Sequence, residues 1–329
     1  MSYFYLLSGA EEVRELAALE LWALSGVEPD RCCGEGPVAV DVSGAAYTRF
    51  CARTLATGAT LEELIAQTEA LALAHEGFRI DVFYPSPAAP ESMRVIATAV
   101  ADSILGRPDL SHPRVRLVVV AQQGHWRLGE LVSATVPDWR QWTPPVDFSA
   151  ALPAQMSRAL VNMVAAPGDV LLDPCCGAGT VVGQAARRGV RAIGVEISKK
   201  LAGRAAECLR GTTGALIIAG DGRLIGGRFD AAVVDFPYGR ATTVAPDLYR
   251  DVLTNLRGLV QRAVVLTAAP LDDLLAETGF RVVRVAHARG GQLVRHVHLV
   301  AADGDDRPAV RRNSYRDTQR GGRPDSPSL

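Results

Sequence analysis

Four acidic residues in the second half of the chain, Asp173, Glu196, Asp221 and Asp235, each follow a short apolar run. The first opens the segment Asp173-Pro174-Cys175-Cys176-Gly177-Ala178-Gly179-Thr180. Glycines at a strand-to-helix turn let backbone approach a bound nucleoside, and the helix N-terminus behind them favours negative charge. Glu196 closes the next run, where an acid accepts from ribose hydroxyls. To this point a nicotinamide dinucleotide and S-adenosylmethionine fit equally. Three features favour S-adenosylmethionine. Asp173 precedes the glycines, where it can bond the amino group of a methionine moiety. Asp221, after Ala219-Gly220, is placed to accept from an adenine amino group. Asp235-Phe236-Pro237-Tyr238-Gly239 then closes the fourth run. Cys175, Gly177, Gly179, Thr180, Ile197 and Gly222 complete the candidate cofactor-binding set.

The last motif points to a reaction. An exocyclic amino group on a base is a poor nucleophile because its lone pair is delocalised into the ring. Two acceptors on its two hydrogens localise that pair. Asp235 is the candidate first acceptor and the Phe236 carbonyl the second. Pro237 holds Phe236 extended and aims that carbonyl. Tyr238 offers a stacking face, and Gly239 lets the chain turn away. The base has to leave its stack, at a cost of roughly a few kcal/mol. Most of the catalysis is then positioning, with no covalent enzyme intermediate. Cys175 and Cys176 have no histidine beside them in the motif and read as packing residues.

Alternating elements must hold these groups. Strands are expected at 170–173, 192–197, 215–219, 231–235 and 263–267, with helices at 180–188, 199–210, 247–261 and 271–278. Two final strands, 280–286 and 293–301, meet at Gly290-Gly291 as an antiparallel hairpin. Apolar strands between helices imply a mostly parallel, Rossmann-like α/β sheet, which binds ligands at the carboxyl ends of its strands. The first half mixes strands (3–7, 37–42, 78–83, 114–121, 126–131) with helices (11–24, 61–74, 90–105) and reads as two small α+β units. The expected division is 1–77, 78–142, a catalytic domain over 143–302, and a disordered tail over 303–329 rich in Gly, Pro, Asp and Ser.

The whole chain of 329 residues has a formal net charge of -1 and is 48% hydrophobic, which excludes wholesale disorder and fibrous classes. Residues 1–78 hold 4 basic and 12 acidic residues, whereas 143–302 hold 18 basic and 13 acidic. A nucleic acid is therefore expected away from the acidic N-terminal unit. Arg79, Arg94, Arg107, Arg114, Arg116 and Arg127 are the candidate RNA phosphate contacts, with His112, His125 and Trp126 nearby for stacking. The N-terminus lacks a basic secretory start, no run is long and apolar enough to span a membrane, and the six cysteines form no C-x-x-C pair. A cytoplasmic protein with reduced thiols and no metal is expected. His296 and His298 read as same-face sheet residues.

At these residues the sequence resembles class I S-adenosylmethionine-dependent methyltransferases. More narrowly it resembles the THUMP-domain tRNA guanosine-10 N2-methyltransferases, whose D-P-x-C-G-x-G-T and D-P-P-Y-G motifs correspond to DPCCGAGT and DFPYG here. The tract 151–165 is similar to that family's helix leading into the catalytic sheet. Residues 3–24 are similar to the start of its ferredoxin-like domain, and 78–129 to a diverged THUMP domain. The resemblance implies that Asp173, Gly177 and Gly179 line the cofactor, with Glu196 on ribose and Asp221 on adenine. It places Asp235, Phe236, Pro237 and Tyr238 around the amino group of a tRNA guanosine. Two departures stand out. Phe236 replaces the family's first proline, and the THUMP-like segment is only weakly basic. The same amino-group motif also serves enzymes acting on ribosomal RNA or on adenine in DNA, and a THUMP RNA-binding protein with weakened catalysis is a further alternative.

Overall fold

The computed structural model describes residues 1–84, 92–122, 124–141, 151–237, 247–291 and 293–302. The N-terminal half builds one seven-stranded sheet. Its elements in chain order are β1 (Tyr3–Leu7), α1 (Arg14–Ser25), β2 (Pro29–Asp30), β3 (Cys33–Gly36), β4 (Thr48–Gly58), α2 (Leu61–Ala70), β5 (Phe78–Phe83), α3 (Met93–Asp102), β6 (Val115–Gln122) and β7 (His125–Ala134). The strands lie in the order β2-β3-β1-β4-β7-β6-β5. The expected boundary between residues 77 and 78 runs through this sheet, because β4 pairs with β7 and β5 forms the far edge. Local chemistry sets the helix ends. Thr60 caps α2 by accepting from the Glu63 N–H, Ser92 caps α3 through the Val95 N–H, and Gly26 (φ 77°) ends α1.

Two elements of this half differ from expectation. Residues 37–42 form no strand. Pro37 supplies no N–H for a ladder, and the segment is tied instead to β7 by side chains: Ser133 Oγ donates to Val40 O, and Thr135 Oγ1 to Val42 O, both at 3.0 Å. The strand lies just upstream, at Cys33–Gly36, in spite of its glycines. A Cβ at Gly34 would stand 2.7 Å from Val27 Cγ1, so the residue is small because α1 and its following turn press on it. The central strand β4 was not expected at all. Register shifts at Cys51/Ala52 and Thr54/Ala56 break the period of two that marks a strand in sequence.

The second half continues with α4 (Ala154–Val164), β8 (Val170–Asp173), α5 (Thr180–Arg187), β9 (Arg191–Glu196), α6 (Lys199–Cys208), β10 (Ala215–Ala219), β11 (Ala231–Asp235), α7 (Leu248–Arg257), β12 (Arg262–Thr267), α8 (Asp272–Glu277), β13 (Phe280–Gly290) and β14 (Leu293–Ala302). Every expected strand and helix of this half is present, within a few residues at its ends. The strand order is β10-β9-β8-β11-β12-β14-β13. Neighbours from β10 to β12 are parallel, and β14 runs antiparallel to both β12 and β13. The chain walks outward from β8 to β10, then returns to the other side of β8 with β11. That reversal opens a crevice at the carboxyl ends of β8 and β11. Among the described residues, no helix is long and apolar enough to cross a membrane.

The halves share one apolar core, which runs from Leu16 and Leu21 of α1 through Leu160 and Val164 of α4 to Val264 and Leu266 of β12. Polar groups fix their register. Glu20 is fully buried and accepts from Ala46 N, Tyr47 N and Asn162 Nδ2, each at 2.7 Å. Arg158, 1% exposed, reaches Gln184 Oε1 at 3.1 Å and forms a pair with Asp138 at 3.0 Å. Arg284 of β13 pairs with Glu28 and lies 4.0 Å over the Trp22 ring. Removing the Glu20 carboxylate strands two buried backbone donors and takes one of two acceptors from the Asn162 amide. Glu20→Ala is expected to lower unfolding stability by about 3 kcal/mol in urea titrations. A loss below about 0.5 kcal/mol would mean that the halves do not depend on this junction.

Candidate active site

Each sequence-derived acid sits where its strand ends. Asp173 ends β8, Glu196 ends β9, Asp221 follows β10, and Asp235 ends β11. The glycine turn after β8 has the conformation its residues imply. Gly177 (φ 52°) and Gly179 (φ 79°) are both left-handed, and Gly179 caps α5. Thr180 begins that helix and is buried. The turn is held from two sides. Cys176 N donates to Val195 O at 3.0 Å, and Gly177 N donates to Glu196 Oε2 at 3.1 Å. Glu196 Oε1 also accepts from Ser198 N at 2.8 Å, so the carboxylate is oriented at the mouth of the turn.

Two glycines allow this closeness. A Cβ at Gly194 would lie 2.8 Å from Cys176 Sγ, and one at Gly222 would lie 2.3 Å from Pro174 O. The loop after β10 therefore touches the loop after β8, which brings Asp221 toward the crevice. The Cys175 thiol reports the convergence. Its pKa is pushed up by burial first, then by Asp173, Glu196, Asp235 and Asp221 in turn. All four acids act on one sulfur, which is thereby kept neutral, as a packing residue should be.

Charge in this crevice is lopsided. Asp173 is 2% exposed and accepts from Cys175 N at 3.2 Å. Burial drives its pKa well above the carboxylate range, and the neighbouring Asp235 and Glu196 push it further the same way. A buried acid among like charges calls for a cation. The α-ammonium and sulfonium of S-adenosylmethionine are such charges, so this donor set fits that cofactor. Among the described residues, no three His, Cys, Asp or Glu side chains are grouped to hold a metal ion.

The other expected residues fall in several places. Ile197 is 70% exposed beside Glu196. Asp221, expected on adenine, is gripped by Arg223 through its backbone N–H at 2.9 Å and its guanidinium at 2.6 Å, which holds the carboxyl below its usual range. Phe236 is buried and donates its N–H to Leu266 O at 3.2 Å. Tyr238 and Gly239 lie outside the described residues, as do residues 142–150 and 303–329. Sequence reading missed Tyr249 and Arg223. Tyr249 stacks on Phe236 with ring centroids 4.2 Å apart. A tyrosine in a helix's first turn carries no motif, and only the fold brings it to Phe236.

The arginine set divides. Arg79 and Arg116 are register partners on β5 and β6, and both bond Asp81, at 2.9 and 2.8 Å. Backbone bonds tie Arg107 and Arg114 to Gly77, at the start of the same edge strand. Arg127 pairs with Glu35. Arg94 lines a cavity of about 290 Å³ with Asp81, Phe83 and Met93. Trp126 does not offer a stacking face as expected. It is 9% exposed in the core beneath α2 and α3, edge-on to Tyr84. His296 and His298 do share a face, their rings 6.3 Å apart.

The family described as DNA methylase matches residues 125–207, a span that holds the glycine turn and Glu196 and stops short of Asp235. The tRNA (guanine(10)-N2)-dimethyltransferase of Methanothermobacter thermautotrophicus is 30% identical over 147 residues, or 40% of this chain. The chain spans 44% of that relative's length. TrmN from Thermus thermophilus is 20% identical, with a TM-score of 0.47 over 92% of this chain and all of that one. A possible methylase from Clostridium difficile 630 is 14% identical, with a TM-score of 0.48 over 94% of this chain and all of that one. The strand order, the crevice and the glycine turn give the second half the Rossmann-like architecture expected of a class I methyltransferase.

Because the folded state holds the Asp173 proton more tightly than the unfolded chain, its contribution to stability falls as pH rises above the carboxylate range. Asp173→Asn removes that penalty. It is expected to raise the thermal midpoint by roughly 2–4 °C at neutral pH, with the difference vanishing near about pH 4. Calorimetry should show S-adenosylmethionine affinity weakened at least about tenfold in the same variant. A variant that is destabilised at neutral pH, with affinity intact, would contradict the role of Asp173 as a cation partner.

Proposed function

We propose that the protein is an S-adenosylmethionine-dependent methyltransferase acting on the exocyclic N2 amino group of a guanosine in tRNA. The observation that carries the reading is the placement of Asp235 and the Phe236 backbone at the switch-point crevice, beside the buried Asp173 and the glycine turn. Asp173, Gly177 and Gly179 would line the cofactor, Glu196 would take its ribose, and Asp221 would meet its adenine. When bound, S-adenosylmethionine supplies an electrophilic methyl group on a positively charged sulfur. Asp235 accepts one hydrogen of the base amino group and the Phe236 carbonyl the other, which localises the nitrogen lone pair toward that methyl group. Phe236 and Asp173 are buried at the crevice, where fixed dipoles act strongly. Asp235 is the proton acceptor within reach as the amino group becomes cationic.

Two observations support a tRNA substrate: the partial match to the archaeal dimethyltransferase, and the gathering of Arg79, Arg107, Arg114 and Arg116 around the start of β5. The THUMP-like segment 78–142 would serve as the RNA-binding part, away from the acidic N-terminal residues. The match to the DNA methylase family favours a second reading, in which the same amino-group chemistry acts on adenine in DNA or ribosomal RNA. Unmodified tRNA incubated with the protein and methyl-labelled S-adenosylmethionine, then digested to nucleosides, should yield labelled N2-methylguanosine. Label on adenine, or with duplex DNA alone, would establish the second reading instead. Asp235→Ala should lower kcat by about 100-fold or more while S-adenosylmethionine still binds. Loss of binding with catalysis retained would make Asp235 a cofactor ligand rather than the acceptor for the base.

A further inference from the structure

We infer that Tyr249 is a positioning residue for the Asp235-Phe236-Pro237 turn, clamping the backbone that presents the Phe236 carbonyl. The clamp presupposes the proposed role of that turn and adds a residue to it. Three contacts surround one peptide unit. On its N-terminal side, the Phe236 N–H is tied to Leu266 O of β12 at 3.2 Å. On its C-terminal side, the Tyr249 hydroxyl donates to the Pro237 carbonyl at 2.7 Å. Between them the Tyr249 ring lies on the Phe236 ring, 4.2 Å between centroids and 25° from parallel. The Phe236 carbonyl therefore lies between two anchored groups, and the stacked ring limits rotation about the residue that carries it.

The clamp has a firm mount. Tyr249 stands in the first turn of α7, whose Val252, Leu253 and Leu256 are fully buried against β11 and β12. The hydroxyl stays protonated. Burial raises its pKa, and the nearby Cys175 and Asp235 raise it further. It therefore acts as a donor, and the Pro237 carbonyl is the acceptor it meets. A physical need explains the arrangement. A proline at 236 would fix φ within its own ring, whereas phenylalanine leaves φ free. A carbonyl that must accept from one particular amino hydrogen loses its value if it swings by tens of degrees. In this chain the fixing comes from outside the residue, by a hydrogen bond to each neighbouring backbone group and a ring on its side chain. The Phe236 N–H that reaches β12 is a donor that proline would lack.

The test uses the full chain with Tyr249→Phe, which keeps the ring and deletes the donor, and Tyr249→Leu, which deletes both. Amide hydrogen exchange of the peptide holding Phe236 should quicken about tenfold in Tyr249→Phe. With unmodified tRNA as substrate, kcat should fall about tenfold, while the Kd for S-adenosylmethionine stays within about twofold. Tyr249→Leu should lose more. Combining it with Phe236→Leu, which removes the other half of the stack, should cost less than the two single losses together. Exchange and kcat both within about twofold of the parent in Tyr249→Phe would overturn the clamp. So would a kcat loss matched by equal losses of cofactor affinity and thermal midpoint, since that pattern marks a folding role. If the parent protein methylates no RNA, the proposed function fails on its own, and hydrogen exchange still decides the clamp.

Discussion

Ionising a buried carboxyl group among like charges is costly, and Asp173 is such a group. It sits at the end of the central strand β8, with Asp235 and Glu196 close enough to hold its proton on. Strand ends on either side of a switch point converge by geometry, so acids placed there are forced together. The rest of the catalytic half supports that arrangement. Gly194 and Gly222 are bare so that neighbouring loops close on the turn. Glu196 spends both its oxygens on backbone N–H groups, which moderates its own charge while fixing the turn. Cys175 and Cys176 fill the space beneath as neutral thiols, their ionisation opposed by burial and by the acids around them. The crevice by itself is electrostatically strained, and a ligand with two positive centres relieves it.

Part of the acidic surplus of the N-terminal residues lies between the two halves of the chain. Glu15, Glu20 and Glu28 all turn toward the catalytic half. Glu15 accepts from the His287 backbone at 2.8 Å, Glu20 from Asn162, and Glu28 pairs with Arg284. Part of the charge imbalance visible in the composition is thus internal complementarity between halves. On the far edge of the same sheet, the arginines around β5 are partly neutralised by Asp81. Under the proposed function, phosphates approaching them would compete with one carboxylate for two guanidiniums, which predicts a moderate and salt-sensitive grip.

The catalytic half was legible because its signals are local. Asp173, Glu196 and Asp235 directly follow short apolar runs, Asp221 follows Ala219-Gly220, and the turn after Asp173 carries its own glycines. A buried parallel strand needs no partner pattern to be seen, because both its faces are apolar. The N-terminal half was harder for equally physical reasons. β4 is central to its sheet, but two bulges and two exposed-type residues, Arg49 and Arg53, hide its alternation. β3 carries glycines that argue against a strand until Val27 is known to lie over them. Trp126 looked available for stacking because aromatic and charged neighbours alternate along β7, yet the alternation itself places it inward.

The sequence by itself determined the order of strands and helices from residue 151 onward, the four acids at strand ends, the left-handed glycines and the chemistry they imply. These follow from neighbours along the chain, where propensity and spacing act. Only the tertiary structure decided that the first 134 residues share one sheet, and that Tyr249 stacks on Phe236 and bonds Pro237. Each of these is set by which surfaces pack together. The Phe236–Tyr249 pair shows the reason most clearly: the two residues stand thirteen positions apart, and their meeting depends on how α7 lies against β11 and β12, which no local spacing encodes.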